Sequence, residues 1–420
     1  MVAEFNRMSA HMVYKVSVTA LATALSCAVL LQNVQTASAD AQLRPDGANP
    51  KGPLIGDSLG ALYGTTQAGG GSGWGTVFKL TPNSTGYREK ILYQFRGMPD
   101  GGNPMGGLIG NGAGALFGTT RAGGTADHGT VFKLTPNTSG YTEKVLYSFQ
   151  DASDGGSPQC TLIEDVQGSL YGTASGGQSG QGVVFKLTRN GNAYQESVLY
   201  SFQGGADGAS PSSLIADAGG ALYATTSGGG AFGKGIVFKL TPDGVRYDES
   251  ILFNFDGRSQ GGAPGASLTA DAAGALYGTA VNGGDGFCAQ AGCGTVFRLS
   301  PSGGGYTLSV LHTFEGGSDG KWPVAAVIVD SSGSIYGATT GGDAVPGTVF
   351  RLTPNGNNYD YRVIHRFIAQ DFPYAAVIED DLGALYGTTA FGGTFGIGSV
   401  YKLTPHGVKY GERILHSFHP

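Results

Sequence analysis

Seven times along this chain an apolar residue followed by an aromatic one opens a nearly constant string, of which Gly220 to Leu240, GALYATTSGGGAFGKGIVFKL, is one copy. The first aromatic recurs at Tyr63, Phe117, Tyr171, Tyr223, Tyr277, Tyr336 and Tyr386, at separations of 54, 54, 52, 54, 59 and 50 residues. The second half recurs with its aromatic at Phe78, Phe132, Phe185, Phe238, Phe297, Phe350 and Tyr401. A unit of this size cannot bury an apolar face alone, so copies must stack, and the architectures open to the chain shrink to propellers and solenoids. The 75 glycines have no three-residue period, which excludes a collagen-like helix, and 40% hydrophobic content argues against disorder. They read as turn residues.

One repeat, read from Pro211, yields four short segments, SSLIAD, ALYATT, GIVFKLT and DESILFNF, rich in β-branched and aromatic residues and bounded by Gly, Asp, Asn and Pro. We label them strands A, B, C and D. The A–B turn, Asp217 to Gly220, and the C–D turn, Pro242 to Val245, are short enough for hairpins, whereas D leads to the next A through the longer Gln203 to Ser212. A propeller needs its longest link there, because the chain must return from the outermost strand to the next innermost one, about 14 Å at roughly 4.8 Å per strand. Leu214-Ile215 and Val237-Phe238 place apolar groups on both faces, as expected for sheets packed on sheets on either side. The expected fold is therefore all-β, a seven-bladed propeller of four-stranded antiparallel blades occupying residues 40–420, with repeats of about 54 residues starting near Leu43. Each blade is expected to be complete, the chain entering near Leu54 and leaving at Phe418, so that the ring closes by side-chain packing. Lys79 and Glu89, Lys133 and Glu143, Lys186 and Glu196, Lys239 and Glu249, and Lys402 and Glu412 are each ten apart, which predicts facing pairs across the C–D hairpin. In blades five and six Arg298 and Arg351 would face Leu308 and Tyr361.

Residues 1–39 stand outside the repeat. Arg7 and Lys15 precede the apolar run Val16 to Leu31, and Ala37-Ser38-Ala39 offers a small-x-small cleavage site, the pattern of a secretory signal peptide. Thr19, Thr23 and Ser26 make the run a poor membrane anchor. A secreted or periplasmic monomer with no membrane span after cleavage is expected. In that oxidising setting Cys288 and Cys293 read as a local disulfide and Cys160 as a small buried hydrophobe. A net charge of −6 without a basic stripe argues against nucleic acid as a partner.

The repeated G-x-LYGTT-x-x-GG followed by GTVF[KR]LTP, as in residues 60–70 and 75–82, resembles the GloVer tandem-repeat ("choice-of-anchor") proteins of exported bacterial sequences. The likeness covers residues 43–420. It implies export and a repeat fold and supplies no catalytic residue; those proteins often end in a surface-anchoring signal, whereas Pro420 directly follows the last strand D, with no tail for an anchor.

Asp46, Asp100, Asp154, Asp207 and Asp319 at the crossovers, and Asp57, Asp165, Asp217, Asp271, Asp330 and Asp380 in the A–B turns, read as capped turns rather than a cation ring. His312, His365 and His416, at tyrosine positions of strand D in three separate blades, cannot converge on zinc. No metal is expected. Nucleophile-elbow, Walker, dinucleotide and HExxH motifs are absent, and no cofactor is expected. The B–C and D–A connections share one end of a propeller, and there the repeats diverge. Trp74, Lys321, Trp322, Phe372 and Tyr374 are the candidate ligand-binding residues, for a polysaccharide or a protein partner. An alternative is a polysaccharide lyase or glycosidase, for which His128, Arg121, Arg258 and Tyr374, with Lys321, are the candidate catalytic groups.

Overall fold

The computed structural model describes residues 46–420 apart from 151–152, 245, 285–287, 289–290, 343–344, 369–370 and 408. The leader, with Cys27 and its cleavage site, lies outside the described residues. The chain is a seven-bladed β-propeller, each blade an antiparallel sheet in the order A-B-C-D. Blade one comprises Ile55–Gly56, Leu62–Thr66, Thr76–Pro82 and Tyr87–Gln94, and blade seven Ile378–Glu379, Leu385–Thr389, Ser399–His406 and Lys409–Ser417. Blade four carries an additional short strand, Ala209–Pro211, paired with the end of its strand B.

Strand B is buried along its whole length in six blades and over its first five residues in blade four, since both its faces meet neighbouring sheets. Its central glycine has a steric cause: a Cβ on Gly64 would stand 2.6 Å from the ring of Phe78, its cross-strand partner. The core is accordingly not one mass but seven wedges between blades. In each, the phenylalanine that ends strand D meets, edge on, the aromatic of strand C in the next blade: Phe95 and Phe132, Phe149 and Phe185, Phe202 and Phe238, Phe255 and Phe297, Phe314 and Phe350, Phe367 and Tyr401, with centroids 5.0–5.3 Å apart. Phe418 and Phe78, at 5.2 Å, complete the ring.

Closure follows the expected route. Ile55–Gly56 pairs within blade one and Lys409–Ser417 within blade seven, and the join is made by Leu54, Leu62 and Phe78 packed against Tyr386, Val400 and Phe418. The segment before blade one reinforces it. Asp46 accepts hydrogen bonds from the His416 ring at 2.7 Å and from the His419 amide at 2.9 Å, and the Asn49 amide donates to the Ile397 carbonyl.

The expected lysine–glutamate pairs do not form. Across the C–D hairpin Lys79 stands opposite Lys90 and Glu89 opposite Leu80, because the turn sets a register one residue away from the ten-residue spacing. Lys79 instead lies over the ring of Tyr63, its strand-B partner, with Asp57 at 3.8 Å, while Glu89 belongs to the opposite face. Arg298 and Arg351 repeat the arrangement over Tyr277 and Tyr336 rather than facing Leu308 and Tyr361, which pair with Leu299 and Leu352.

Candidate functional site

The two ends of the ring are built differently. At the A–B end each turn aspartate does several jobs at once: Asp217 accepts the amides of Gly219 and Ala221 on one oxygen and the Tyr223 hydroxyl, at 2.9 Å, on the other. At the opposite end the crossover aspartates hold strand D of the blade just completed. Asp100 accepts the Tyr93 hydroxyl at 2.6 Å and the Arg96 amide at 3.0 Å, and Asp319 accepts from the His312 ring and the Glu315 amide. His312 and His416 therefore take over a tyrosine's hydrogen bond, whereas the His365 ring stands 3.5 Å from Glu412 instead. Among the described residues no group of three His, Cys, Asp or Glu is placed to hold a metal ion. A small indentation bordered by Ile163, Asp165, Tyr171 and Leu222 lies between blades three and four at the A–B end, away from the divergent loops.

At the B–C and D–A end a proline recurs in every crossover, at Pro50, Pro104, Pro158, Pro211, Pro264, Pro323 and Pro373. The residue after it occupies the same place in each complete crossover, a ring formed by Lys51, Met105, Gln159, Gly265, Val324 and Tyr374; blade four lacks this position. Tyr374 is 36% exposed, and the Lys51 ammonium stands 5.5 Å from the centre of its ring. Burial and the neighbouring Arg121 guanidinium lower the Lys51 pKa, while Arg121 itself is exposed at the end of strand B in blade two. Just beneath, adjacent blades touch through backbone: a Cβ on Gly52 would meet the Gly106 carbonyl at 2.6 Å.

The remaining candidates are placed as follows. Phe372 meets Phe391 edge on at 5.9 Å, beside Tyr374 on the same crossover. Trp74 is half-buried, its ring covering Gly97 and Gly102 of the crossover that leaves blade one. Trp322 lies against Gly342, and Lys321, itself buried, places its ammonium 4.0 Å from the indole centre. Both tryptophans cover chain that would otherwise be bare backbone. Arg121 and His128 stand at the two ends of one B–C loop, and Arg258 is exposed on the crossover from blade four to five. The catalytic candidates thus lie on four connections, one B–C loop and three crossovers, with Arg121 and Tyr374 both near Lys51. Cys288 and Cys293 are joined in a disulfide that lies over Gly316, and Cys160 is a buried thiol whose sulfur accepts the Thr173 amide.

Sequence reasoning passed over Lys51. The available signal was positional: it is the one cation in a ring otherwise made of Met, Gln, Gly, Val and Tyr.

Among the described residues no helix is long and apolar enough to cross a membrane. No curated protein matches the chain. Among solved structures it is similar to the extracellular domain of a protein described as a candidate one component system, BT4673, from B. thetaiotaomicron, at 11% identity and a TM-score of 0.52. That match covers 85% of this chain but only 40% of the other, and at this identity it speaks for the fold alone. Residues 28–218 and 210–420 each match the model of the Gloeobacter/Verrucomicrobia repeat, and on these two matches the chain belongs to that repeat family.

Proposed function

We propose that this is an exported binding propeller that engages a glycan through the face formed by its B–C and D–A connections, centred on blade seven and its neighbours. The reading rests on one observation above others. Four aromatic rings are exposed among the described residues, Phe232 at 62%, Tyr374 at 36%, Phe391 at 39% and Phe395 at 54%, and all four lie on that face. The other exposed apolar residues are spread more widely: Leu59, Val166 and Leu382 are in A–B turns, Val198, Ile251, Val310 and Ile414 are on outer strands, and Met98 and Ile368 are on D–A crossovers of that face. Three of the four rings belong to blade seven or the crossover into it, next to Phe372. Aromatic faces stack on the apolar faces of sugar rings, and exposed rings cost the fold water contact that a partner would remove. The leader-like residues 1–39 support export.

Affinity electrophoresis of the protein through plant, algal and bacterial polysaccharides tests this. Retardation by at least one polymer, lost in Tyr374→Ala and Phe391→Ala with unchanged melting temperature, is the expected result, since a rim ring leaves no core cavity when removed. Trp74→Ala and Trp322→Ala are expected to lower the melting temperature instead, because the first ring is packed against a crossover and the second against a B–C loop. Retention of every polymer by both rim variants would sink the proposal.

A further inference from the structure

On that reading of the face, we infer that Lys51 and Arg121 form an anion subsite beside Tyr374, so that the polymer bound there is acidic, carrying carboxylate or sulfate groups along its backbone.

The argument starts from what the fold requires at these positions. The crossover residue after the proline is Met, Gln, Gly or Val in four other blades and is missing from blade four, so neither charge nor length is needed there for packing. The residue that ends the B-strand run in blade two, Arg121, has Gln67, Ser175, Ser227, Val281, Thr340 and Ala390 as its counterparts, again with no cation among them. Two adjacent blades therefore each put a positive charge where the repeat does not ask for one. Some of the other cations are paired and some, such as Lys133, Lys239 and Arg351, stand over a ring of strand B without an ion pair. The strand-C lysines and arginines at 79, 186, 298 and 402 lie within 4.0 Å of a turn aspartate, and Arg96 is paired with Asp100. Lys51 and Arg121 are in no ion pair with a described residue, although one is half-buried.

Lys51 stands half-buried over the Tyr374 ring, and burial together with the nearby Arg121 guanidinium disfavours its charge, a cost that the folded chain carries unrelieved. An anion lying between them removes it, with the ammonium as a point charge and the planar guanidinium able to bind two oxygens at once. The tyrosine ring next to them supplies the apolar surface on which the sugar bearing the anion can rest. A protein of net charge −6 would repel an acidic polymer over much of its surface, which favours contact at a locally basic mouth.

The experiment compares the wild-type chain with Lys51→Met, Arg121→Gln and the double variant. The probes are polygalacturonate and alginate for carboxylates, a sulfated galactan for sulfate esters, and neutral xylan and galactan as controls, each measured by isothermal titration at two salt concentrations. The subsite predicts tighter, salt-sensitive binding of an acidic polymer and a loss of about tenfold or more in the double variant, in keeping with charge-assisted contacts. Melting temperatures within a degree or two of wild type confirm that folding is intact. Preference for uronate over sulfate, or the reverse, identifies which anion fits, and either supports the subsite. Equal binding of acidic and neutral polymers, or a double variant that keeps its affinity for the acidic ones, overturns it and leaves the aromatic face standing. Failure of the wild-type chain to bind any polymer overturns both.

Discussion

The clearest lesson at the scale of single residues is that one aspartate per A–B turn is asked to do two things with its two oxygens. In blades one, three, four, five, six and seven one oxygen caps the turn and the other takes a tyrosine hydroxyl. Blade two makes the exception intelligible. There Asn111 caps the turn in the same way, and the ring across from it is Phe117, which has no hydroxyl to offer. The carboxylate is thus needed only where the ring is tyrosine, and the two positions change together. We expect Asp217→Ala to cost about 2 to 4 kcal/mol, since it strips two amides of their acceptor and the Tyr223 hydroxyl of its carboxylate partner. Asn111→Ala should cost about 1 to 2 kcal/mol, as only the turn is lost. Urea unfolding of both variants checks the difference; equal losses would remove the tyrosine from the account.

On the scale of strands, the register of the C–D hairpin decides where its charges go. The sequence spacing suggested glutamate against lysine, but the turn places Glu89, Glu143, Glu196 and Glu249 on the face turned to the preceding blade. Each has a buried oxygen without a hydrogen-bond partner. Burial, together with a crossover aspartate of the preceding blade, pushes each carboxyl up to about 7, with Asp100 beside Glu143, Asp154 beside Glu196 and Asp207 beside Glu249. Glu89 is placed likewise by Asp46, though His416 on the same side draws it down. Arg96 does the same for Glu143. The folded chain therefore holds protons between about pH 4.5 and 7 that the unfolded chain releases, and this contribution to stability is lost as pH rises through 7. His365 acts in the other direction: burial lowers it to about 4, so its contribution is present above its ordinary value and fades as pH falls. Four carboxyls outweigh one imidazole, although solvent reaching each site reduces what any one contributes. The melting temperature should fall by several degrees between pH 5.5 and 8, and Glu143→Gln with Glu196→Gln should flatten that slope. A melting temperature that rises over this range would contradict the assignment of these carboxyls to the blade interfaces.

For the molecule as a whole, blade number, strand order and closure were all legible from the period and the connection lengths. They follow from spacing alone: the longest link had to be D to A, and the last strand had to be a D strand. The closing contact of Phe418 with Phe78 is the same edge-on pair that joins every other blade, so closure required no new interaction. What spacing cannot give is depth. Trp74 and Trp322 read from the sequence as equals of Tyr374 at the rim, yet the Trp74 ring lies against glycines of the crossover and the Trp322 ring against Gly342 of a B–C loop, with Lys321 buried beside it. The hairpin register failed for a related reason, because a turn one residue longer than its sequence suggests reverses every side chain that follows. The central claim is that one end of this ring, the end built from the B–C and D–A connections, is where the protein works. Hydrogen exchange of the wild-type chain with and without the polysaccharide it binds most tightly measures this directly. Slowed exchange confined to residues around Lys51, Arg121, 371–375 and 390–397 is the result the account predicts, and protection centred on the A–B turns near Leu59, Val166 and Leu382 would contradict it.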